Sequence, residues 1–354
     1  MSAADLPVTV THADDVTDAG AAETPARPGV SVVMPILNEE RHLADAVQRV
    51  LAQRYPGPLE IVLAIGPCRD ATRQIARRLA AADARIRVVD NPSGRTPDGL
   101  NAALAAARHE IVVRVDGHAE LCAGYLTTAV AELERTGAVN VGGIMDAQGR
   151  TPFERAVAAA MKSRLGVGSA RFHVGGGAGA ADTVYLGVFR RDTLLAAGGY
   201  DPHFSRAQDW ELNHRLRQAG GTVWFTPQLR VTYRPRPNVR ALAKQYFEYG
   251  RWRRVVAARH ATISVRYLAP PAMVVATTAA AVAGVAGGRR PWARAALAIP
   301  AGYAAGVTAG GMAVGRGESP RTRALLPIVL ATMHWSWGLG FLTSPAALRR
   351  NTAS

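Results

Sequence analysis

Three stretches of this 354-residue chain contain no Asp, Glu, Lys or Arg: Leu268 to Gly288, Ala295 to Gly315, and Ala324 to Leu348. Each is close to the ~20 residues that an α-helix needs to cross the hydrocarbon of a bilayer, so they constrain the fold more than any other feature. They read as about three membrane spans. The competing reading is three buried helices of a soluble domain, since the stretches are rich in Ala and Gly and only moderately hydrophobic. Gly302, Gly306 and Gly310 recur every four residues, as do Gly284 and Gly288, a spacing that would let helices approach closely. Charge is concentrated upstream. With 42 Lys and Arg against 27 Asp and Glu the formal charge is +15, and an apolar fraction of 48% excludes a disordered chain.

Residues 1–27 are rich in Ala, Asp, Thr and Pro and have no apolar period, so they read as a disordered tail. No basic start followed by an apolar run is present, so no cleavable signal peptide is expected and the domain after the tail should stay cytosolic. Cys68 and Cys122 are too few for a disulfide framework or a zinc site. From Val239 the chain interleaves Leu242, Tyr246, Phe247, Tyr249 and Trp252 with Arg240, Lys244, Arg251, Arg253 and Arg254. Residues 239–266 therefore read as a basic amphipathic helix at a membrane surface, with anionic lipid rather than nucleic acid as the partner. A transmembrane region, 267–348, and a basic tail, 349–354, complete the chain. The positive-inside rule puts the basic helix in the cytosol, with the protein a multi-pass protein of the cell membrane. Three spans would put Arg289, Arg290 and Arg294 outside, which the rule disfavours, so one stretch is open to being re-entrant or interfacial.

Between the tail and the basic helix, residues 28–238 alternate. Val30 to Pro35 is a short apolar run, followed by Asn38 as an N-cap and a helix-like stretch from Glu39 to Gln53. Strands at 59–65, 86–89 and 110–115 alternate with helices at 70–82 and 98–108. This order predicts an α/β domain with a mostly parallel sheet flanked by helices. Ligands of such sheets bind beyond the carboxyl ends of the strands, which brings Asn38 and Glu39, Gly66 to Asp70, and Asp116 to His118 to one crevice.

Asp116 follows an apolar strand directly, and His118 lies two residues on, so both could reach a divalent cation. Mg²⁺ and Mn²⁺ accept carboxylate oxygens, and His suits Mn²⁺ better than Mg²⁺. Equally, Asp116 could cap a turn and His118 could be a solvated loop residue. Gln208 to Gly220 reads as a helix closed by Gly, with Asp209 near its start, where a carboxylate is either a general base or an ordinary cap satisfying free N–H groups. The run Arg171 to Ala181 is too rich in Gly for a regular element and reads as a mobile loop; His173 in it reads as solvated, with contact to a diphosphate as the alternative. It lacks the strand and the Lys-Ser/Thr register of a P-loop.

Several segments, in order, resemble the family 2 inverting glycosyltransferases with the GT-A fold, most nearly their membrane-associated succinoglycan-biosynthesis type. They are Val32 to Glu40, Gly99 to Ala102, Arg114 to Ala119, Asp182 to Arg191, Gly198 to Asp201, and Gln208 to Asn213. The resemblance implies a nucleotide-sugar donor and a Mg²⁺ or Mn²⁺ cofactor, with Asp116 as first metal carboxylate, His118 in the second metal position, and Asp209 as the base that deprotonates the acceptor. It also implies that Pro35, Leu37, Asn38 and Glu39 line the nucleotide pocket, and that Arg95 and Asn101 lie where the donor is contacted. Two departures stand out. The second strand ends Leu63-Ala64-Ile65-Gly66-Pro67 where the family has an Asp, leaving Asp70 as a helix cap. Gln208 replaces the acidic residue before the base, so Asp209 is expected to lack a like-charged neighbour and to stay ionised.

The expected activity is transfer of the sugar to a lipid-linked saccharide or glycan precursor at the cytosolic membrane face. Transfer to polyprenyl phosphate is a second reading, and a non-catalytic membrane-bound module retaining the fold a third. Gln245 with Arg251 and Trp252 resembles a motif of processive polymerases, at the wrong spacing.

Overall fold

The computed structural model describes residues 27–261 and 267–349. The expected N-terminal tail up to residue 26, the end of the basic helix at 262–266, and the tail from 350 lie outside the described residues. In chain order the elements are β1 (Val30–Ile36), α1 (Leu43–Leu51), β2 (Leu59–Ile65), α2 (Thr72–Ala82), β3 (Ile86–Asp90), α3 (Thr96–Ala106), β4 (Ile111–Arg114), β5 (Glu120–Leu121), α4 (Tyr125–Thr136), β6 (Asn140–Ala147) and α5 (Pro152–Met161). Then come α6 (Arg164–Val167), α7 (Arg171–Val174), β7 (Gly179–Ala180), β8 (Tyr185–Arg190), α8 (Arg191–Ala196), α9 (Gln208–Gln218) and β9 (Val223–Tyr233). The C-terminal helices are α10 (Val239–His260), α11 (Ala269–Ala286), α12 (Pro291–Ala296), α13 (Ala298–Val314), α14 (Pro320–Leu342) and α15 (Ala346–Arg349).

The strands form one sheet in the order β3-β2-β1-β4-β8-β6-β9-β5, with β7 added to β9. The half made of β3, β2, β1 and β4 is parallel. Beyond β4 the sheet is mixed, because β8 runs antiparallel to both β4 and β6 while β9 runs parallel to β6. Successive strands β2 and β4 lie on opposite sides of β1, which makes the end of β1 the point where the strand order reverses. Pro35, with no N–H to donate, faces β4 where that strand has already ended at Arg114. The ladder stops there and a crevice opens. Between Gly142 and Ile144 the register of β6 against β9 jumps from Phe225 to Arg230. Gly143 permits this bulge, since a Cβ there would overlap the Leu229 carbonyl.

The strands are apolar runs buried on both faces, as parallel strands covered by helices must be. One face packs Val32, Met34, Ile61 and Leu63 against Leu43 and Val47 of α1 and Leu126 and Val130 of α4. The other packs Val33, Val62 and Val112 against Leu100 and Leu104 of α3 and Leu212 and Leu216 of α9. A third cluster joins Met145, Ala156, Val157 and Met161 to Leu242, Tyr246, Leu326, Val329, Leu330 and Met333, so α5 and β6 are covered by α10 and α14.

Helix α10 buries Leu242, Tyr246, Trp252, Val255 and Val256 inside the protein, so these residues of its apolar stripe face α14 and the sheet domain. Three helical segments, Ala269–Ala286, Pro291–Val314 and Pro320–Leu342, are long and apolar enough to cross a membrane. Of the expected glycines, Gly284 of α11 does lie close, against Leu297 and the Ala293 carbonyl, whereas the stripe on α13 does not join the helices. Gly302 and Gly306 have open space around them, and Gly310 meets only the side chain of Leu165. Close approach is made by Gly250 of α10 against the Trp337 carbonyl and Gly340 of α14 against the Phe247 carbonyl.

Two local expectations change. Asn38 does not cap α1; it has φ +55 and its Oδ1 accepts from the Arg69 N–H at 2.8 Å, while α1 begins at Leu43. The glycine-rich run is not irregular throughout: it holds α7 and then β7, which pairs with β9.

Candidate active site

The carboxyl ends of β1, β2 and β4 supply a web of loop contacts. Glu39 N–H donates to Thr72 Oγ1 at 2.8 Å, and the Ala71 N–H donates to Glu40 Oε2 at 3.1 Å. Asp70 accepts from the N–H groups of Thr72 (3.1 Å) and Glu40 (3.3 Å), which is the cap-like role expected of it. These bonds fix the loop after β1 against the loop after β2. Leu37 projects from that loop, 42% exposed, toward Gly66 and Gly94. Arg95, at the start of α3, bonds Asp98 at 2.8 Å and the Pro202 carbonyl at 3.2 Å, tying the loop before α3 to the segment before α9. Asn101 sits differently from the expected donor contact. Its Nδ2 donates to the Tyr200 carbonyl (2.7 Å) and its Oδ1 accepts from the Tyr200 N–H (2.8 Å), so its amide pins the backbone of the Gly199-Tyr200 turn.

The centre of the crevice is Arg114, the last residue of β4 and only 4% exposed. A charge buried in an apolar strand requires counter-charges. Its Nε and Nη2 donate to Asp116 Oδ1 at 3.1 and 3.0 Å, and its Nη1 pairs with Asp209 Oδ1. Tyr200 lies against the same guanidinium, 5.9 Å from ring centroid to Cζ. Asp209 therefore sits on the second residue of α9 yet reaches across to β4 and makes no capping bond with its own helix among the described residues. The helix enters through Ala207, at φ +61, a left-handed conformation that non-glycine residues adopt at a cost of ~1 kcal/mol or more and that gathers at functional sites.

This arrangement overturns the expectation that Asp209 lacks a like-charged neighbour. Burial pushes its carboxyl above the ordinary range and Asp116 pushes the same way, while the Arg114 guanidinium opposes both. Burial disfavours the Arg114 charge, and Asp116 and Asp209 outweigh that, keeping it protonated. His118, about half exposed, bonds Glu39 Oε1 through Nδ1 at 2.7 Å. That bond, with Asp116 adding its charge, raises the imidazole above its usual value against the opposing effect of burial.

The fit to a divalent cation can be read from the donors. Among the described residues no three His, Cys, Asp or Glu groups cluster closely enough to hold a metal unaided. Cations of this kind commonly take one or two protein groups and complete their shell from substrate phosphates and water. Both Arg114 bonds go to Oδ1 of Asp116, leaving Oδ2, and Glu39 holds Nδ1 of His118, leaving Nε2; a carboxylate behind a ligating His is a familiar support. The residues present fit that partial shell.

Beyond the carboxylates the crevice is bordered by phenols. Gln245 Nε2 of α10 donates to Tyr233 Oη at 2.7 Å and Tyr249 Oη at 2.9 Å. Tyr185 lies within electrostatic reach of Asp116, Arg114, Tyr233 and Tyr249. Exposed Arg236 is within reach of His118 and Tyr249, and exposed Arg206 of Tyr249. Reading the sequence missed Arg114 and this tyrosine border. An Arg inside the run Ile111 to Val115 was the available signal for the first. His173 is half-buried against Phe172, not solvated, and burial lowers it to about 4. A surface cavity of about 420 Å³ lined by Tyr55, Arg85 and His109 opens at the amino ends of the strands, the wrong end of the sheet for this chemistry.

Comparison with known proteins gives the chain a family and a fold. The family model described as glycosyl transferase family 2 matches residues 31–194. The chain is 31% identical over 326 residues to succinoglycan biosynthesis protein ExoA of Rhizobium meliloti, covering 91% of this chain and 96% of that protein. It is 22% identical over 232 residues to the dolichyl N-acetyl-alpha-D-glucosaminyl phosphate 3-beta-D-2,3-diacetamido-2,3-dideoxy-beta-D-glucuronosyltransferase of Methanococcus voltae, covering 62% of this chain and 71% of that one. Among solved structures it resembles the mannosyltransferase PcManGT from Pyrobaculum calidifontis in complex with GDP-Man and Mn²⁺, at TM-score 0.50, 21% identity and 88% coverage of each chain. The order of its motifs, its mixed sheet and its extended relatedness lead to one conclusion: the chain belongs to glycosyl transferase family 2, with the GT-A fold of its glycosyltransferases.

Proposed function

We propose that this glycosyltransferase moves a sugar, with inversion, from a nucleotide-diphosphate donor to a lipid-linked saccharide or glycan precursor at the cytosolic face of a membrane. The observation that carries this reading is the buried Arg114 holding Asp116 and Asp209 together at the switch point of the sheet. Asp209 takes the proton of an acceptor hydroxyl while that oxygen attacks the anomeric carbon, and the bond to the nucleoside diphosphate breaks on the opposite face. One displacement inverts the centre. Arg114 orients the base and tempers the rise that burial imposes on it. Asp116 and the Nε2 face of His118 would hold Mg²⁺ or Mn²⁺, which when bound supplies positive charge to the departing diphosphate. Pro35, Leu37, Asn38, Glu39 and Arg95 border the donor side.

The acceptor side is assigned to the tyrosine border. Tyr233 and Tyr249 accept from Gln245, so their own O–H groups are left to donate, and Arg206 and Arg236 add positive charge. A surface of donors and aromatic faces suits a saccharide carried on phosphate. Support for a lipid-linked acceptor comes from the name of the Methanococcus relative, and support for a nucleotide-sugar donor with a divalent cation from the ligands of the Pyrobaculum enzyme. The apolar C-terminal helices and the basic α10 fit a membrane surface.

The test is release of nucleoside diphosphate by the full chain in detergent and lipid, across a panel of nucleotide sugars, with Mn²⁺, with Mg²⁺ and with chelator. Release from at least one donor, dependent on the cation and at least ~100-fold lower in Asp116→Ala, is expected. Undiminished release by the folded Asp116→Ala protein would overturn the metal assignment, and silence of the wild type on every donor would overturn the reading.

A further inference from the structure

We propose that α14, although long and apolar enough to cross a bilayer, does not cross it, and that any crossings are confined to the α11–α13 hairpin, which returns to the side it left. This rests on the membrane reading above. At 1.5 Å per residue its 23 residues measure about 35 Å, against roughly 30 Å of hydrocarbon, so length alone permits a span. Its contacts forbid one. Through the middle of α14, Leu326, Val329, Leu330 and Met333 are buried among Met145 of β6 and residues of α5, and His334 Nε2 donates to the Leu165 carbonyl at 2.8 Å. At its C-terminal end, Gly340 abuts the α10 backbone, and Arg254 donates to the carbonyls of Phe341 and Leu342 at 3.0 Å each.

The chain after α14 is held in the same way. Ser344 Oγ donates to the Arg251 carbonyl at 3.0 Å, and His203 Nε2 donates to the Leu348 carbonyl at 2.8 Å. His203 belongs to the segment that leads into α9 and the base. From Leu326 to its C-terminal end α14, and Leu348 beyond it, are therefore held against the body that carries the sheet, while Arg323 near its start donates to the Met312 carbonyl of α13. A spanning helix is surrounded by lipid or other spans along its length, whereas α14 lies on the polar body from Leu326 to Leu342, so the number of crossings after α10 is even. The charge on α10 points the same way. Arg251, Arg253 and Arg254 lie on the helix packed along α14, and such side chains are expensive at the bilayer centre. α11 and the α12–α13 segment leave Val275, Val282, Val285, Trp292 and Ile299 more than half exposed, as lipid-facing positions would be, whereas on α14 Ile328 alone among the large apolar residues is exposed to that degree. The third stretch is then the interfacial one, while Arg289, Arg290 and Arg294 stay at the far turn of the hairpin, a placement that the positive-inside rule disfavours.

The experiment is cysteine labelling of the full chain in sealed membrane vesicles of known orientation. In a Cys68→Ser, Cys122→Ser background, single variants Arg69→Cys, Glu318→Cys and Thr343→Cys are exposed to a membrane-impermeant maleimide. These mark the catalytic domain, the turn before α14 and the turn after it. All three are expected to label from one side only, and from the same side. A cleavable tag after Ser354 offers a second readout that leaves the helices untouched, with protease access expected from that side too. Labelling of Glu318→Cys or Thr343→Cys from the face opposite Arg69→Cys, or cleavage of the tag from that opposite face, would overturn the proposal. Release of the wild-type chain by alkaline carbonate, with the sheet domain still able to bind nucleotide sugar, would remove the membrane reading and this proposal with it, while leaving the transferase reading intact.

Discussion

Arg114 decides how the two carboxylates behave. It is buried beside them, so its charge is felt at low dielectric and its loss would leave two acids with no partner. The base must be ionised to act. Because burial raises the Asp209 carboxyl, activity is expected to fall as pH drops through a value above the ~3.9 of an ordinary Asp. In Arg114→Gln the opposing charge is gone, so the acid limb of kcat/KM should move to higher pH, accompanied by a loss of stability of roughly 3–5 kcal/mol. A pH–rate series on both proteins checks this, and an unmoved limb would show that Arg114 does not tune the base. The chain's text made Asp116 and Asp209 legible as candidates, each with a bland capping alternative. It could not show that they meet, because their common partner bridges positions 95 residues apart. Asn38 was misread for a related reason: Asn is favoured both as an N-cap and in the left-handed region, and only the fold chooses between them.

At the scale of elements, the parallel half of the sheet was open to reading, since β1, β2, β3 and β4 are apolar runs of four to seven residues separated by helical stretches. The mixed half was not, because β5 and β7 are two residues long and exist only through pairing with β9. One buried acid joins the elements of the parallel half. Glu60 of β2 accepts from Ser31 Oγ (2.6 Å) and the Arg108 N–H (2.7 Å), linking β1, β2 and the entry to β4. Burial pushes its carboxyl up, and the hydrogen bonds outweigh it and hold the pKa below the ordinary value. A depressed pKa contributes stability above the unfolded value of ~4.3 and loses it as pH falls through the folded one. Glu60→Gln should therefore cost about 2 kcal/mol at pH 7, with the gap to wild type closing below about pH 4. Denaturant titration of the two proteins at both pH values measures it; a gap that does not change with pH would contradict the assignment. The α10–α14 contact has its own weak point. A side chain at Gly250 would overlap the Trp337 carbonyl, so Gly250→Leu should cost at least ~1–3 kcal/mol, seen as a lower melting temperature in detergent.

For the whole molecule, hydropathy identified three apolar segments correctly but could not say what each one faces. Composition reports the preference of a helix for an apolar surrounding, which protein or lipid can supply equally. Helix α14 obtains much of it from α5, α10, α11 and α13, whereas α11 and α13 leave large side chains outward. The glycine stripe of α13 was a similar trap, since small residues every four positions arise readily in Ala-rich helices; close packing is permitted elsewhere, by Gly250 and Gly340 between α10 and α14, by Gly338 of α14 against the Pro270 carbonyl, and by Gly311 of α13 against Pro327. The architecture that results hangs the catalytic crevice, the tyrosine border and the apolar helices on one continuous helix, α10. Its first half supplies Gln245 and Tyr249 to the crevice, and its end packs His260 against His214 of α9, the helix that carries Asp209.

The central claim is that Asp209 is the base. Its most direct test is single-turnover sugar transfer by Asp209→Asn, measured beside the affinity of the same protein for the donor. Transfer is expected to fall by at least ~100-fold while donor affinity stays within a few-fold of wild type. Transfer at the wild-type rate by the folded variant would contradict that role for Asp209.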